Sequence, residues 1–94
     1  MGNETNTFKV LLSGRVQGVG FRYYAERRAH QHNIAGYVRN TDDDKVEITC
    51  QGSQKDLDAF IREVKKGPAF AAVTHADIQP VDNPKNYHSF DIKI

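Results

Sequence analysis

The chain has 94 residues, 38% of them hydrophobic and 27% charged, which is enough for one small globular core and too little for two. Its 13 Lys and Arg against 12 Asp and Glu leave a formal charge of +1, which argues against a strongly basic nucleic-acid binder. No apolar run approaches the ~20 residues needed to cross a bilayer, and a single cysteine, Cys50, excludes an internal disulfide and a multi-cysteine metal site.

Residues 1–7 are polar and contain no apolar segment of the kind a secretory signal needs. Met1-Gly2 begins like a myristoylation site, but Asn6 stands where that motif takes Ser or Thr. Asn3-Glu4-Thr5 matches a glycosylation acceptor, which means nothing without secretion. The expectation is a short disordered arm over 1–7, a folded domain over 8–94 and a cytoplasmic protein.

A strand is predicted over residues 8–13, with Phe8, Val10 and Leu12 on one face and Lys9, Leu11 and Ser13 on the other. Three glycines in the next seven residues, Gly14, Gly18 and Gly20, make a tight loop. A helix is predicted over 21–32, where Phe21, Tyr24, Ala25 and Ala29 share a face and Asn33 is a plausible stop. Residues 35–40 read as a second strand, Asp42 to Asp44 as a turn, and 45–51 as a third strand with a half-buried alternation of Val46, Ile48 and Cys50 against Glu47, Thr49 and Gln51. Ser53, three residues before Asp56, caps a second helix that carries Leu57, Phe60, Ile61 and Val64 at i, i+3, i+4, i+7 and ends at Gly67-Pro68. A fourth strand over 73–79, a loop over 80–86 and a short strand over 90–94 complete the chain. The order βαββαβ predicts an α+β, ferredoxin-like sandwich: an antiparallel sheet, both helices on one face, and a short extra C-terminal strand. Right-handed crossovers put the first and third strands in the centre.

In this topology the first two strands run the same way, so the glycine loop and Asn40 reach one edge of the sheet. Residues 1–40 carry six basic side chains against two acidic ones, a local excess of +4 that fits a small anion site. Glycines let successive backbone N–H groups of Arg15, Val16, Gln17, Gly18, Val19 and Gly20 turn inward, and the helix start adds partial positive charge. Arg22 falls in the first helical turn, where a guanidinium opposes the helix dipole unless an anion lies beside it. The same residues are also compatible with a plain βα turn and a solvated arginine. A Walker loop is excluded because this one ends Gly20-Phe21-Arg22, and a Rossmann fingerprint because Tyr23 replaces its third glycine.

The run from Gly14 to Arg22 (GRVQGVGFR), followed by Gly36-Tyr37-Val38-Arg39-Asn40, resembles the paired signatures of the acylphosphatases. Gly67-Pro68 with Ala71 and Val73, and Phe90-Asp91-Ile92, are also similar, so the resemblance covers about residues 8–94. It departs at Asp44, where relatives often carry glycine; a turn needing positive φ would strain Asp there. The resemblance implies hydrolysis of small acyl phosphates, with Arg22 and the loop backbone of Arg15 to Gly20 binding phosphate and Asn40 orienting the attacking water. It implies no metal and no organic cofactor, inorganic phosphate as product and inhibitor, no nucleic-acid or membrane partner, and a monomer. The alternative is a non-catalytic anion- or nucleotide-binding module on the same fold; a third possibility is the acylphosphatase-like domain of a larger carbamoyl-transfer protein, against which a single-domain chain argues.

Other residues lead less far. His30 and His32 do not share a helix face, and His75 and His88 have no ligands near them in sequence. Cys50 falls on the buried phase of its strand, as a core thiol does. Asp42 to Asp44 lack the spacing of an EF-hand. Tyr23, Tyr24 and Tyr37 are not set in an RNA-recognition signature.

Overall fold

Val10 and Leu12 are fully buried, Leu11 between them is only half-buried and Lys9 before them is exposed, so a two-residue period decides which face of the first strand meets the helices. The computed structural model describes residues 4–94. Its elements are β1 (Asn6–Arg15), α1 (Phe21–Gln31), β2 (Ala35–Asn40), β3 (Val46–Gly52), α2 (Gln54–Lys66), β4 (Ala72–Pro80) and β5 (Phe90–Lys93). The strands form one sheet in the order β4-β1-β3-β2-β5, with β1 and β3 inside it as the crossover rule requires. This is the ferredoxin-like α+β arrangement.

Three differences from the expected pattern have physical causes. β1 begins at Asn6, which pairs with Gly52, so Asn6 and Thr7 belong to the sheet and not to an arm. The readings at Met1-Gly2 and at Asn3 lie outside the described residues. The sheet is mixed: β1, β3, β2 and β4 pair antiparallel, but β5 joins β2 in parallel, Gly36 to Phe90 through Arg39 to Lys93. The chain leaves one edge at β4, passes beneath the sheet and enters the opposite edge from the end at which β2 starts. Finally, β3 is buried on both faces, because that returning segment covers Thr49 and Gln51 on its second face while Tyr37 and Arg39 bond Glu47. Gln51 donates to Thr7 Oγ1 at 2.9 Å and to Lys85 O at 2.7 Å, and accepts from Tyr87 N at 2.9 Å. Val81 N donates to Thr7 O at 2.9 Å, pinning the start of the same segment.

α2 follows its pattern closely. Ser53 Oγ accepts from Asp56 N at 3.2 Å, while Asp56 in the first turn and Lys65 and Lys66 in the last complement the helix dipole. Its buried stripe, Leu57, Phe60 and Val64, packs over the sheet, and Phe60 meets Phe90 edge to face at 5.9 Å. Each such side chain contributes about 1.5–3 kcal/mol by leaving water. The two helices are joined by Tyr24, which donates to Glu63 O at 2.9 Å, and by Glu63, whose carboxylate lies 3.3 Å from Arg28 Nε and 3.1 Å from His32 Nε2.

Two residues report on backbone and burial. Asp44 has φ 68° in an exposed turn, the left-handed region that disfavours a Cβ. Asp44→Gly should leave stability unchanged or slightly raised, since relief of strain offsets the extra freedom of the unfolded chain, whereas Asp44→Ala should lose about 1 kcal/mol. Thermal unfolding reads this as a shift of roughly 4–8 °C per kcal/mol for a domain of this size.

Cys50 is fully buried, and burial pushes its thiol up to about 12; its Sγ also lies 3.5 Å from Phe8 O. The unfolded chain ionises this thiol from about pH 8.5–9 and the folded chain does not. Because the folded-state value is the higher one, the folded state binds more protons, and stability falls as pH rises through that window, by about 1.4 kcal/mol per pH unit for this group. Cys50→Ala should cost ~1 kcal/mol near neutrality through a small cavity and remove that alkaline slope. Urea unfolding of both proteins at about pH 7 and pH 10 checks it.

Candidate active site

β1 ends in an irregularity. The register with β4 shifts between Ser13 and Gly14, and Gly14 takes φ 116° with its backbone against Ala72 O and Thr74 N, leaving no room for a Cβ. The chain then turns out of the sheet. Val16 and Phe21, 1% and 2% exposed, bury themselves in the core on either side of the turn. Between them Gly18 and Gly20 adopt φ 73° and 77°, with open space around both. Gly20 is the N-cap of α1 in left-handed conformation and offers no side-chain cap; the first turn contains no acidic residue. The N–H groups at the start of α1 therefore face the turn without a side-chain acceptor, the arrangement that binds an anion.

The loop is fixed to the next part of the site by Gln17. Its Nε2 donates to Thr41 O at 3.0 Å and to Lys45 O at 2.8 Å, the two carbonyls flanking the β2–β3 turn. Thr41 closes that turn from inside, its N–H donating to Lys45 O at 2.9 Å and its Oγ1 accepting from Lys45 N at 3.0 Å. Asn40, the last residue of β2, immediately precedes the clipped turn and is paired with Val46. It shares the helix-side face with fully buried Val38, two residues before it.

A cleft of about 150 Å³ lies between these parts, lined by Val16, Gly18, Gly20, Phe21, Arg22, Tyr23 and Asn40. Asn40 Oδ1 is buried and has no hydrogen-bond partner within the protein. Arg22 has no ion-pair or hydrogen-bond partner among the described residues, although Arg28, Arg39 and Lys45 each have an acidic one. Of the sequence-predicted residues, the structure thus brings Val16, Gly18, Gly20, Arg22 and Asn40 to one cleft. Arg15, Gln17 and Val19 do not line it: Arg15 is still in β1, paired with Ala72, Gln17 serves as the clip, and Val19 packs against the core. Sequence reasoning missed Phe21 and Tyr23 as lining residues and the clip itself. Gln17 has no sequence signal, because its partners are backbone carbonyls 24 and 28 residues away.

The remaining titratable groups are directed elsewhere. Glu47, the one buried carboxylate among the described residues, lies on the opposite face of the sheet. Burial would raise its carboxyl, but hydrogen bonds from Tyr37 (2.7 Å) and Arg39 (3.0 Å), with the Arg39 charge, outweigh this and hold it below the usual range. Among the described residues no group of three or more His, Cys, Asp and Glu is placed to hold a metal ion. What the cleft offers is a set of N–H donors, one free guanidinium and one amide.

Comparison with known proteins agrees with this geometry. The sequence profile of the acylphosphatase family matches residues 8–92. An acylphosphatase of Bacillus velezensis is 41% identical over 85 residues, covering 90% of this chain and 94% of that protein. One from Oceanobacillus iheyensis is 43% identical over 86 residues, with 90% and 94% covered. The crystal structure of acylphosphatase from Bacillus subtilis superposes with a TM-score of 0.91 at 36% identity, covering 95% of this chain and 99% of that one.

Gln17→Ala should loosen the loop relative to Asn40 and strand two carbonyls. Losing the two bonds should cost about 1–2 kcal/mol in urea unfolding and weaken the affinity for inorganic phosphate measured by calorimetry. Gln17→Glu should be worse than Gln17→Ala on both readouts, since a carboxylate beside two carbonyl oxygens repels them.

Proposed function

The chain belongs to the acylphosphatase family and is an enzyme of that kind, and we propose that it hydrolyses the carboxyl–phosphate bond of small acyl phosphates by attack of a water held by Asn40 on a phosphate held by the loop backbone and Arg22. The observation that carries this reading is the buried, unpartnered Oδ1 of Asn40 in the same small cleft as an unpaired arginine and the open start of α1. A buried acceptor without a donor costs on the order of 1–3 kcal/mol, and a water O–H supplies the donor.

In the proposed reaction the phosphoryl oxygens occupy the turn, receiving N–H groups from the loop and the start of α1, and the Arg22 fork spans two of them. Asn40 Oδ1 accepts a hydrogen bond from one O–H of the water, which keeps that proton and leaves the water's lone pair free to approach phosphorus. The new P–O bond forms as the bond from phosphorus to the carboxyl oxygen breaks, and the carboxylate departs with that electron pair. The water's proton passes to a phosphoryl oxygen. A carboxylate leaving group has a pKa of roughly 4–5, so no general acid is required of the protein. Its work is positioning and charge stabilisation. A neutral amide suits the water-holding place, where a carboxylate would repel the phosphate.

The reading needs no cofactor, and every residue it uses comes from one chain, so a monomer suffices. Inorganic phosphate, as product, fills the same turn and inhibits competitively. A reducing cytoplasm suits a protein whose single thiol is free.

The division of labour is testable. Arg22→Ala should weaken phosphate binding by on the order of 2–5 kcal/mol and abolish turnover, and Arg22→Lys should recover little, because an ammonium cannot span two oxygens. Asn40→Ala should leave phosphate affinity nearly unchanged and lower kcat by roughly 10²-fold or more. Phosphate titration beside steady-state kinetics decides it. An Asn40→Ala enzyme that loses phosphate affinity as badly as Arg22→Ala, or that keeps near-normal kcat, contradicts the assignment. A binding module on this fold would hold phosphate and show no turnover in any form.

A further inference from the structure

The two edges of the sheet are protected unequally. β5 is four residues long and ends in Lys93. β4 is nine residues long, carries no lysine or arginine, and has its proline at the last position. It pairs with β1 alone, so alternate N–H and C=O groups along it face away from the sheet with no strand to receive them. Its helix-side face is also incompletely covered. Ile78 pairs with Val10, which is fully buried, yet Ile78 itself is 37% exposed. Between this strand and α2 lies a groove of about 590 Å³. Phe8, Ile61 and Ile78 give it an apolar floor, and Arg62, Lys65 and Lys66 give it a basic rim.

The groove has a direction. α2 starts at the end of the sheet where Asn6 pairs with Gly52, and stops at the end where Gly67 lies against Phe21 and Ala72 pairs with Arg15. At the first end the one acid of the lining, Asp58, is engaged, accepting from Gln54 Nε2 at 2.8 Å. Toward the second end come Arg62, Lys65 and Lys66, all exposed and none with an acidic partner among the described residues. We propose that β4 and this groove receive an extended segment of another protein, with apolar side chains over Phe8 and Ile78 and acidic ones beside Arg62, Lys65 and Lys66. The segment adds to β4 as a further strand. Every second side chain then enters the groove, while main-chain hydrogen bonds to the free edge hold the rest. A second copy of this chain is a poor occupant. Antiparallel pairing of β4 with another β4 turns the copy's Ala76, Ile78 and Pro80 to the groove side and its Asp77 to the opposite face, so no acid meets the three cations. The inference is independent of the hydrolytic reading, because none of these residues lines the cleft.

The probe is a fluorescein-labelled peptide in which threonine alternates first with two valines and then with two glutamates, so that valines and glutamates share one face of a strand. Its control carries lysine in place of both glutamates. Fluorescence anisotropy should show the probe binding the full chain and the control failing to bind. Exchanging both cations for acids, Arg62→Glu with Lys65→Glu, should weaken the probe roughly tenfold or more, since attraction at the rim becomes repulsion. Raising salt from about 0.05 to about 0.5 M should weaken it in the wild-type chain as well. Hydrogen exchange should show the outward amides of β4 gaining protection when the probe is added, with β5 unchanged. The charge-exchanged variant should keep the wild-type unfolding transition and the wild-type rate of acyl phosphate hydrolysis. Absence of probe binding overturns the proposal, as does equal binding of probe and control, or binding that the double variant leaves within about twofold of wild type. A wild-type chain that sediments as a dimer with its β4 amides already protected assigns the edge to a second copy and overturns it too. So does binding to vesicles of anionic phospholipid with none to the probe.

Discussion

Everything at the cleft depends on Val16 and Phe21 being buried together. They bracket a turn whose backbone is left-handed at Gly18 and Gly20, a conformation that costs glycine little strain but much entropy. Glycines alone would leave that turn with many shapes. Burying an apolar side chain on either side of it fixes both ends, and the segment between has few ways to span them. The N–H groups of the turn are thereby aimed outward by core packing. The anion site proposed for this backbone would thus be held in place by apolar side chains that need not touch the anion.

The second requirement is that Asn40, from a different strand, stand opposite that turn. The parallel course of β1 and β2 with β3 between them brings both strand ends to one edge, but a strand end alone leaves ångströms of freedom. Gln17 removes it by joining the turn to the two carbonyls that flank residues 42–44. Positioning chemistry is sensitive on the scale of 1 Å, so a side chain outside the cleft can bear on the geometry within it. The electrostatics have the same logic. Three basic residues find acids, Arg28 with Glu63, Arg39 with Glu47 and Lys45 with Asp43, and most of the others stand on the open surface. Arg22 is left without one at the positive end of a helix. That is a local conflict in the free protein which an anion resolves, and such conflicts mark functional places in otherwise consistent folds.

The parts of this architecture that sequence reveals are those governed by local pattern. The bounds of β2 agree with the expectation residue for residue, and α2 is readable because a Ser53 cap and a 3.6-residue apolar stripe point to the same helix. The strain at Asp44 is legible only through the resemblance, since glycine often stands there in relatives and φ is indeed 68°. The failures are all long-range. Burial of Thr49 and Gln51 comes from a polar segment more than thirty residues later, held by hydrogen bonds that no periodicity encodes. The parallel entry of β5 follows from that same crossing. Arg15 looks like loop in sequence because glycine precedes it, yet its pairing with Ala72 keeps it in the sheet. Within the cleft, Arg22 and Asn40 could be placed together because topology alone unites them, while Gln17's role requires knowing where two distant carbonyls lie.

A domain this small has little stability to spare for functional strain. Burying a titratable acid or base with a strongly shifted pKa would cost several kcal/mol, a large share of what a core of this size supplies. The cleft avoids that expense by using groups whose protonation never changes: backbone amides, a guanidinium and a carboxamide. The same economy limits the chemistry. Expelling an alkoxide from a phosphate monoester calls for a proton at the leaving oxygen, which the loop backbone and the Asn40 amide are not suited to give. Expelling a carboxylate does not. The set of residues around the cleft therefore matches a mixed anhydride of carboxylic and phosphoric acids better than any simple phosphate ester. On this reasoning a preference for the activated substrate arises from what the small core can hold.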